Sequence, residues 1–246
     1  MTNPADPMLL VLIGGIAFLY ASVGHAGASG YIAVLSLVGW TPAQVRPVVL
    51  LLNILVAAVA TLKFYRAGHF RPRLFLPLAA LSVPAAALGG YMPIPTLWLS
   101  RFIGAVLLFS AIWLSMAKRE PEGVAPPGNK SALTAGGFIG FLSGLSGTGG
   151  GIFLSPFMLY FRWAKLKEIS AIAAPYILLN SAAGLVGMNF SGFTPPSGWW
   201  LYAGTAVLCG TAGAGYGTRV LNVRVIQVLL ASVLSIAAAK LLLLAH

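Results

Sequence analysis

The sequence predicts an all-α polytopic membrane protein built from two inverted repeats. Of its 246 residues, 59% are hydrophobic and only 8% are charged, with a mean hydropathy of +0.90. A soluble domain has about 25% charged residues, so this composition indicates an integral membrane protein. A glycine-rich motif that occurs twice indicates the repeat. An uneven distribution of Lys and Arg indicates that the two repeats are inverted.

Glycine runs interrupt the apolar sequence at two places. The stronger run is GLSGTGGG at 144–151, and the weaker run is GHAGASG at 24–30. Both keep the spacing G-x-x-G-x-x-G at an offset of 120 residues, and an asparagine, Asn53 or Asn180, follows each run inside a later apolar segment. So long a period indicates a duplicated domain. We therefore expect a first transmembrane repeat at 1–120, a cytoplasmic linker at 121–130 and a second transmembrane repeat at 131–246.

Each repeat contains a short helix pair, broken by its glycine run, and three full transmembrane helices. A full span needs about 20 apolar residues, and the pieces beside the glycines are shorter. The short pieces are 8–23, 31–39, 131–145 and 152–161, with helices restarting near Tyr31 and Ile152, and the full spans are 45–65, 74–91, 97–117, 170–188, 199–219 and 222–245. Whether each short pair is a re-entrant hairpin or two tilted spans stays open.

The positions of Lys and Arg predict the orientation, because short cytoplasmic loops are rich in both. Basic residues cluster at 63–73, 118–130 and 162–167, whereas the loops at 92–96 and 189–198 contain none. Three crossings per repeat then give opposite orientations to the two repeats, with both termini outside. Lys240 is the exception, and we expect it to snorkel to the interface.

Inverted repeats with interrupted helices are typical of secondary transporters. A helix that restarts inside the membrane presents unpaired N–H groups and a positive dipole end, and bare glycine backbone lets an anion approach them. Serine and threonine hydroxyls near the restarts can add hydrogen bonds. The predicted substrate-binding residues are Gly27, Ser29, Gly30, Asn53, Ser146, Gly147, Thr148, Gly149, Gly150 and Asn180.

The placement of acidic residues also favours an anion as substrate. The acids of the chain are Asp6, Glu120, Glu122 and Glu168, and all lie in predicted tails or loops. A cation transporter generally needs a carboxylate inside the membrane. Because the sequence offers no catalytic triad, metal-ligand cluster or dinucleotide-binding context, we expect neither an enzyme nor a cofactor or metal. The lone Cys209 has no partner for an intrachain disulfide.

These features resemble the TauE/SafE family of sulfite and organosulfur anion exporters, also described as 4-toluene sulfonate uptake permease-type transporters. The residues that carry the resemblance are GLSGTGGGIFLSPFML, with Gly147, Gly149, Gly150, Gly151 and Pro156, and the two-half layout. The first glycine run departs from this pattern, because it has Ala26, Ala28 and Ser29 among its glycines and no proline follows it until Pro42. The resemblance implies export of sulfite, sulfoacetate, thiosulfate or a related anion across the cytoplasmic membrane.

Several alternatives remain open at this stage. Asn53 and Asn180 serve either as ligand contacts or as ties to the broken segments, and His25 serves as a proton or polar relay or as an interhelical hydrogen-bonding group. Arg46 and Arg101 either enter the transport pathway or lie at the membrane interface, and we expect interfacial anchoring. An anion channel or an uptake permease is the alternative function, and a homodimer is left open.

Overall fold

The computed structural model describes residues 6–116, 123–188, 198–217 and 234–243. Within these ranges the chain forms ten helices and no strand, so the predicted all-α class is confirmed there. The helices are α1 (Pro7–Ser22), α2 (Ala28–Leu37), α3 (Pro42–Arg66), α4 (Pro72–Tyr91), α5 (Thr96–Met116), α6 (Asn129–Ser146), α7 (Gly151–Tyr160), α8 (Leu166–Gly187), α9 (Trp199–Gly217) and α10 (Leu234–Leu243).

Four of these helices are long and apolar enough to cross a membrane, namely α3, α4, α5 and α8. Helices α1, α2, α7 and α10 are apolar but shorter. The predicted spans 45–65, 74–91, 97–117 and 170–188 therefore have helical counterparts of sufficient length. The predicted span 222–245 lies mostly outside the described residues, as does part of the linker 121–130.

The starts of α1, α3, α4 and α8 have the residues that commonly begin helices. Proline occupies the first helical position of α1, α3 and α4, where its missing N–H costs nothing. Asp6 precedes α1 and its carboxylate accepts a hydrogen bond from the Met8 N–H at 2.9 Å. At α3, Gln44 Oε1 accepts from the Thr41 N–H at 3.0 Å, and at α8 Glu168 Oε2 accepts from the Lys165 N–H at 3.1 Å.

The short helices α2 and α7 begin differently, directly after a glycine in the left-handed region. Gly27 has φ +106° and Gly150 has φ +84°, and neither start has a side-chain cap. Because a left-handed residue redirects the chain in a single step, α2 begins at Ala28, three residues earlier than the expected Tyr31. Helix α7 begins at Gly151, within one residue of the expected start.

Glycines let α6 lie against α4 with their backbones in contact. Gly136, Gly140 and Gly144 lie one turn apart on α6, and a Cβ at these positions would lie 2.1, 2.3 and 1.9 Å from carbonyl oxygens of α4. A Cβ on Gly213 of α9 would likewise lie 2.1 Å from the Phe18 carbonyl oxygen of α1. Small residues at this spacing are typical of close helix packing in membranes.

The packing of the helices crosses between the two predicted repeats. Helix α4 packs on α6 and α8, whereas α9 packs on α1 and α3. Helix α2 packs on α3 as α7 packs on α8, and α3 and α8 contact each other. In the predicted repeats, α1, α2, α3 and α4 correspond to α6, α7, α8 and α9. The packing of α4 on α6 and α8 then corresponds to the packing of α9 on α1 and α3, which agrees with a duplication. The inversion relative to the membrane and the domain boundaries stay predictions.

Lys240 of α10 bonds to the C-terminal end of α2. Its Nζ donates to the carbonyl oxygens of Ser36 at 2.6 Å and Leu37 at 3.0 Å. The last carbonyls of a helix have no partners within it and carry a partial negative charge. Lys240 therefore satisfies a helix end, while its expected location at the membrane interface stays a prediction.

Candidate functional site

The two glycine runs meet at a small cavity inside the protein. Its volume of about 10 Å³ is close to the minimum that holds one water molecule. Its lining comes from α1, α2, α3, α7, α8 and both glycine runs. The lining residues are Tyr20, His25, Ala26, Gly27, Ala28, Ser29, Asn53, Thr148, Gly151, Ile152 and Ile177.

Two helix N-termini border this cavity. Ala28 and Ser29 begin α2, Gly151 and Ile152 begin α7, and all four line the cavity. The first N–H groups of a helix lack carbonyl partners one turn earlier, and the dipole makes this end partially positive. The arrangement therefore places two such ends beside one cavity, which favours a negative guest over a positive one.

His25 links the first glycine run to α7. Its Nδ1 lies 3.1 Å from the Val23 carbonyl oxygen, and its Nε2 lies 3.2 Å from the Gly151 carbonyl oxygen and 3.0 Å from Ser155 Oγ. Carbonyl oxygens only accept hydrogen bonds, so a neutral imidazole can donate to one of the two and a doubly protonated ring to both. His25 thus makes the expected interhelical hydrogen bonds, while a relay role stays a prediction.

Asn53 holds the second glycine run from α3. Its Nδ2 lies 3.3 Å from both the Thr148 carbonyl oxygen and Ser181 Oγ. These partners fix the amide orientation and leave Oδ1 buried without a hydrogen-bond partner. A Cβ on Gly149 would lie 2.6 Å from Ser181 Oγ and 2.8 Å from Asn53 Nδ2, so a side chain there would displace both.

The hydroxyl groups near the cavity bond to one another. Ser29 Oγ lies 2.7 Å from the hydroxyl of Tyr20, and Ser146 Oγ lies 2.8 Å from Thr148 Oγ1. Ser29 and Thr148 line the cavity, whereas Ser146 lies behind Thr148 and also donates to the Leu142 carbonyl oxygen. In the Tyr20–Ser29 pair one hydroxyl proton is committed and the other can turn towards a guest, whereas in the second pair the Ser146 proton goes to Leu142, so the Thr148 hydroxyl donates to Ser146 Oγ.

Asn180 does not line this cavity. It is buried between α8 and α4, where its Oδ1 accepts from Ser82 Oγ at 2.5 Å and its Nδ2 donates to the Tyr176 carbonyl oxygen at 3.0 Å. Both ends of its amide are therefore occupied, one by a bond to α4 and the other by a bond within α8. The two matching asparagines of the sequence have different surroundings, and ligand contact by Asn180 stays a prediction.

Several predicted glycines support the cavity without lining it. Gly30 packs against α1, where a Cβ would lie 2.7 Å from Ile16 Cγ2. Gly147 ends α6 with φ +75°, and Gly149 and Gly150 form the turn into α7. Of the ten predicted site residues, the structure brings Gly27, Ser29, Asn53 and Thr148 to the cavity, together with the predicted relay His25.

Arg46 does not fit the expected interfacial anchor. It is only 6% exposed, and its Nη2 donates to the Gly144 carbonyl oxygen at 2.9 Å. Its Nε is buried and has no hydrogen-bond partner. Its place in α3, within two turns of Asn53, sets it against the second glycine run. Arg101, by contrast, is exposed, with its guanidinium carbon 5.8 Å from the centre of the Trp98 ring.

Six residues that line the cavity were not among the predicted site residues: Ala26, Ala28 and Gly151 lie within the glycine runs, and Tyr20, Ile152 and Ile177 lie outside them. Tyr20 is the most consequential, because its hydroxyl bonds to Ser29. Ile177 adds an apolar wall from α8, and Ile152 adds one from α7. Tyr20 lies four residues before Gly24 in α1, and a hydroxyl-bearing side chain in this mainly apolar helix is the signal that marks it.

Within the described part of the chain, four helices are long and apolar enough to cross a bilayer, and two of them, α3 and α8, line the cavity. This combination defines a multi-pass membrane protein with a small internal cavity. The chain matches the family described as "Sulfite exporter TauE/SafE" over residues 8–241. It therefore belongs to the TauE/SafE family of membrane transporters, whose description implies a small anion as substrate.

A relative of known sequence supports the same placement. The chain is 38% identical over 234 residues to the "Probable membrane transporter protein y4hK" of Sinorhizobium fredii (strain NBRC 101917 / NGR234). The similarity covers 92% of this chain and 94% of that protein. No solved structure matches the chain.

Proposed function

We propose that the protein is a secondary transporter that exports a small sulfur-containing anion across the cytoplasmic membrane. Sulfite, sulfoacetate or a related sulfonate binds between the two glycine runs, and access to it alternates between the two sides. No catalytic role is proposed. Both termini lie outside in this proposal, as the distribution of Lys and Arg predicts.

The observation that carries the proposal is the pair of helix N-termini beside one cavity. Sulfur oxyanions have several oxygen acceptors, and the N–H groups that begin α2 and α7 are donors without internal partners. Ser29 and Thr148 place hydroxyl groups on the same lining. No Asp or Glu is among the residues that line the cavity. Donors without competing carboxylates favour an anion.

The size of the cavity supports alternating access. Space for about one water molecule is too small for sulfite, so binding needs α2 and α7 to separate. The contacts of His25 with Gly151 and Ser155 join these two segments and must break for that separation. The described conformation is then a closed one, and His25 is its principal polar closing contact.

Energetics favour export without a coupling ion. With the cytoplasm negative, outward movement of one negative charge is favoured by about 2.3 kcal/mol per 100 mV. Proton coupling is the rival, because His25 at the closing contact can gain a proton. In that case flux depends on the pH gradient and on this imidazole.

The test is flux of radiolabelled sulfite in proteoliposomes that contain the full chain, with membrane potential and pH gradient set independently. We expect saturable, potential-driven flux and counterflow, since a carrier exchanges its substrate whereas a channel does not. Sulfoacetate and a sulfonate serve as competitors, and protein-free liposomes serve as the control. The absence of flux for radiolabelled sulfite, and for radiolabelled sulfoacetate and sulfonate measured in the same way, would contradict the proposal.

Two further outcomes separate the mechanisms. Flux that ignores the potential, requires a pH gradient and is lost in His25→Gln would overturn uniport and establish proton coupling. Flux without counterflow would establish a channel. In each case the purified variant must show the monodisperse elution of the parent chain.

A further inference from the structure

Arg46 is a buried cation without a counter-ion in the described part of the chain. The acids described there are Asp6, which bonds to the start of α1, and Glu168, which pairs with Arg71. Arg46 is 6% exposed and its Nε has no hydrogen-bond partner. A guanidinium taken out of water costs several kcal/mol unless charge and hydrogen bonds compensate.

One of its contacts has a structural explanation. Gly144 lies in the last turn of α6, where carbonyl groups lack partners and a cation is favoured. The bond from Arg46 Nη2 to the Gly144 carbonyl oxygen satisfies that end. This bond, however, uses only one of the five N–H donors of the guanidinium group. The paired N–H groups, which can bind two oxygens of an oxyanion at once, are therefore not fully used.

The second glycine run is shaped around this arginine. A Cβ on Gly147 would lie 3.0 Å from Arg46 Cγ and 3.1 Å from Arg46 Cβ, so the bare glycine makes room for the stem of the side chain. Asn53 lies two turns further along the same face of α3 and lines the cavity. Arg46 therefore lies about 10 Å from Asn53 along the helix axis, closer to the N-terminal end of α3.

We propose that Arg46 forms a second anion-binding position, between the cavity and the N-terminal end of α3, that is selective for oxyanions over halide. It rests on the proposed function for the identity of the anion. When the helices separate, the guanidinium offers paired N–H groups to two oxygens of a sulfur oxyanion as it leaves the cavity. Chloride is a single spherical acceptor, so it cannot place a separate oxygen atom opposite each N–H group of that fork.

The test uses the purified full chain and its variants Arg46→Gln and Arg46→Lys. Apparent affinities for sulfite and for chloride are measured from the rise of the thermal unfolding midpoint with anion concentration. In Arg46→Gln we expect sulfite to bind about tenfold or more weakly, the loss of a hydrogen-bonded charge, with a smaller change for chloride. Arg46→Lys keeps a charge and a donor for Gly144 but loses the fork, so its preference for sulfite over chloride also falls.

Arg101→Gln is the matched control, because it removes an exposed arginine from the same protein. Sulfite affinity in Arg46→Gln and Arg46→Lys equal to that in Arg101→Gln would overturn the second position and leave the proposed function intact. If no sulfur anion stabilises even the parent chain, the proposed function itself is wrong. Should Arg46→Gln fail to fold, the sulfite-to-chloride preference of Arg46→Lys decides: an unchanged ratio refutes the role of the fork.

Discussion

Replacing Gly149 by alanine tests whether the second glycine run must lack side chains. Gly149 has φ +73°, where a residue with a Cβ is strained by about 1–2 kcal/mol. The new Cβ also overlaps Ser181 Oγ and Asn53 Nδ2, which breaks two hydrogen bonds worth about 1 kcal/mol each. Together these terms amount to about 3–4 kcal/mol, or a fall of about 10 °C in the unfolding midpoint.

Both stability and transport should respond, because Asn53 and Thr148 line the cavity and Gly149 positions them. Unfolding is followed at one fixed scan rate in detergent, since such transitions depend on scan rate. Sulfite flux is measured in proteoliposomes below the lowered midpoint. We expect flux to fall about tenfold or more, the effect of misplacing a binding contact.

Gly15→Ala is the matched control, because Gly15 lies in α1 with open space around its would-be Cβ. Alanine suits a helix better than glycine by about 1 kcal/mol, so this variant should be at least as stable as the parent. If Gly149→Ala unfolds and transports like Gly15→Ala, the geometric reasoning about the second glycine run is refuted.

Two further variants test packing contacts. Asn180→Ala leaves Ser82 Oγ without its acceptor, which costs about 1–3 kcal/mol, while sulfite affinity measured on the folded protein should not change; a loss of affinity would show that Asn180 takes part in binding after all. Lys240→Met removes the donor to the last carbonyls of α2, with an expected loss of about 1–2 kcal/mol that Lys240→Arg largely restores. Unfolding midpoints check both, and a midpoint for Lys240→Met equal to that of the parent would contradict the capping role.

Much of the fold could be predicted because its determinants are local. Apolar length, prolines at helix starts and glycine runs mark the helix boundaries to within a few residues, as at α7. The early start of α2 shows what such patterns leave out. The left-handed turn at Gly27 depends on one backbone angle, which composition does not reveal.

The two asparagines show why the site was harder to predict. Asn180 meets Ser82 of α4, but the α9 position that matches Ser82, with Gly213 set against Gly89, is Ala206 and has no hydroxyl. Asn53 bonds to the second glycine run instead. A repeat in the sequence predicts equivalent positions, whereas the partner of each amide depends on one side chain in a distant helix.

Arg46 also illustrates a limit of sequence patterns. A basic residue at the fifth position of an apolar helix ordinarily lies at the membrane surface. Here the bare backbone of Gly147 admits its side chain into the interior, and that contact joins residues about 100 positions apart. A contact between residues so far apart in the chain produces no periodic pattern in the sequence.

The backbone contacts of α4 with α6, and of α1 with α9, mean that each half of the gene product completes the other. A piece of the chain ending before α6 would leave α4 without the glycine surface that it is shaped to meet, and the same holds for α1 without α9. Cleavage in the linker after folding should be tolerated, whereas separate synthesis of the halves should yield insoluble or degraded product unless both are present. A moving body in transport would then comprise helices from both ends of the sequence.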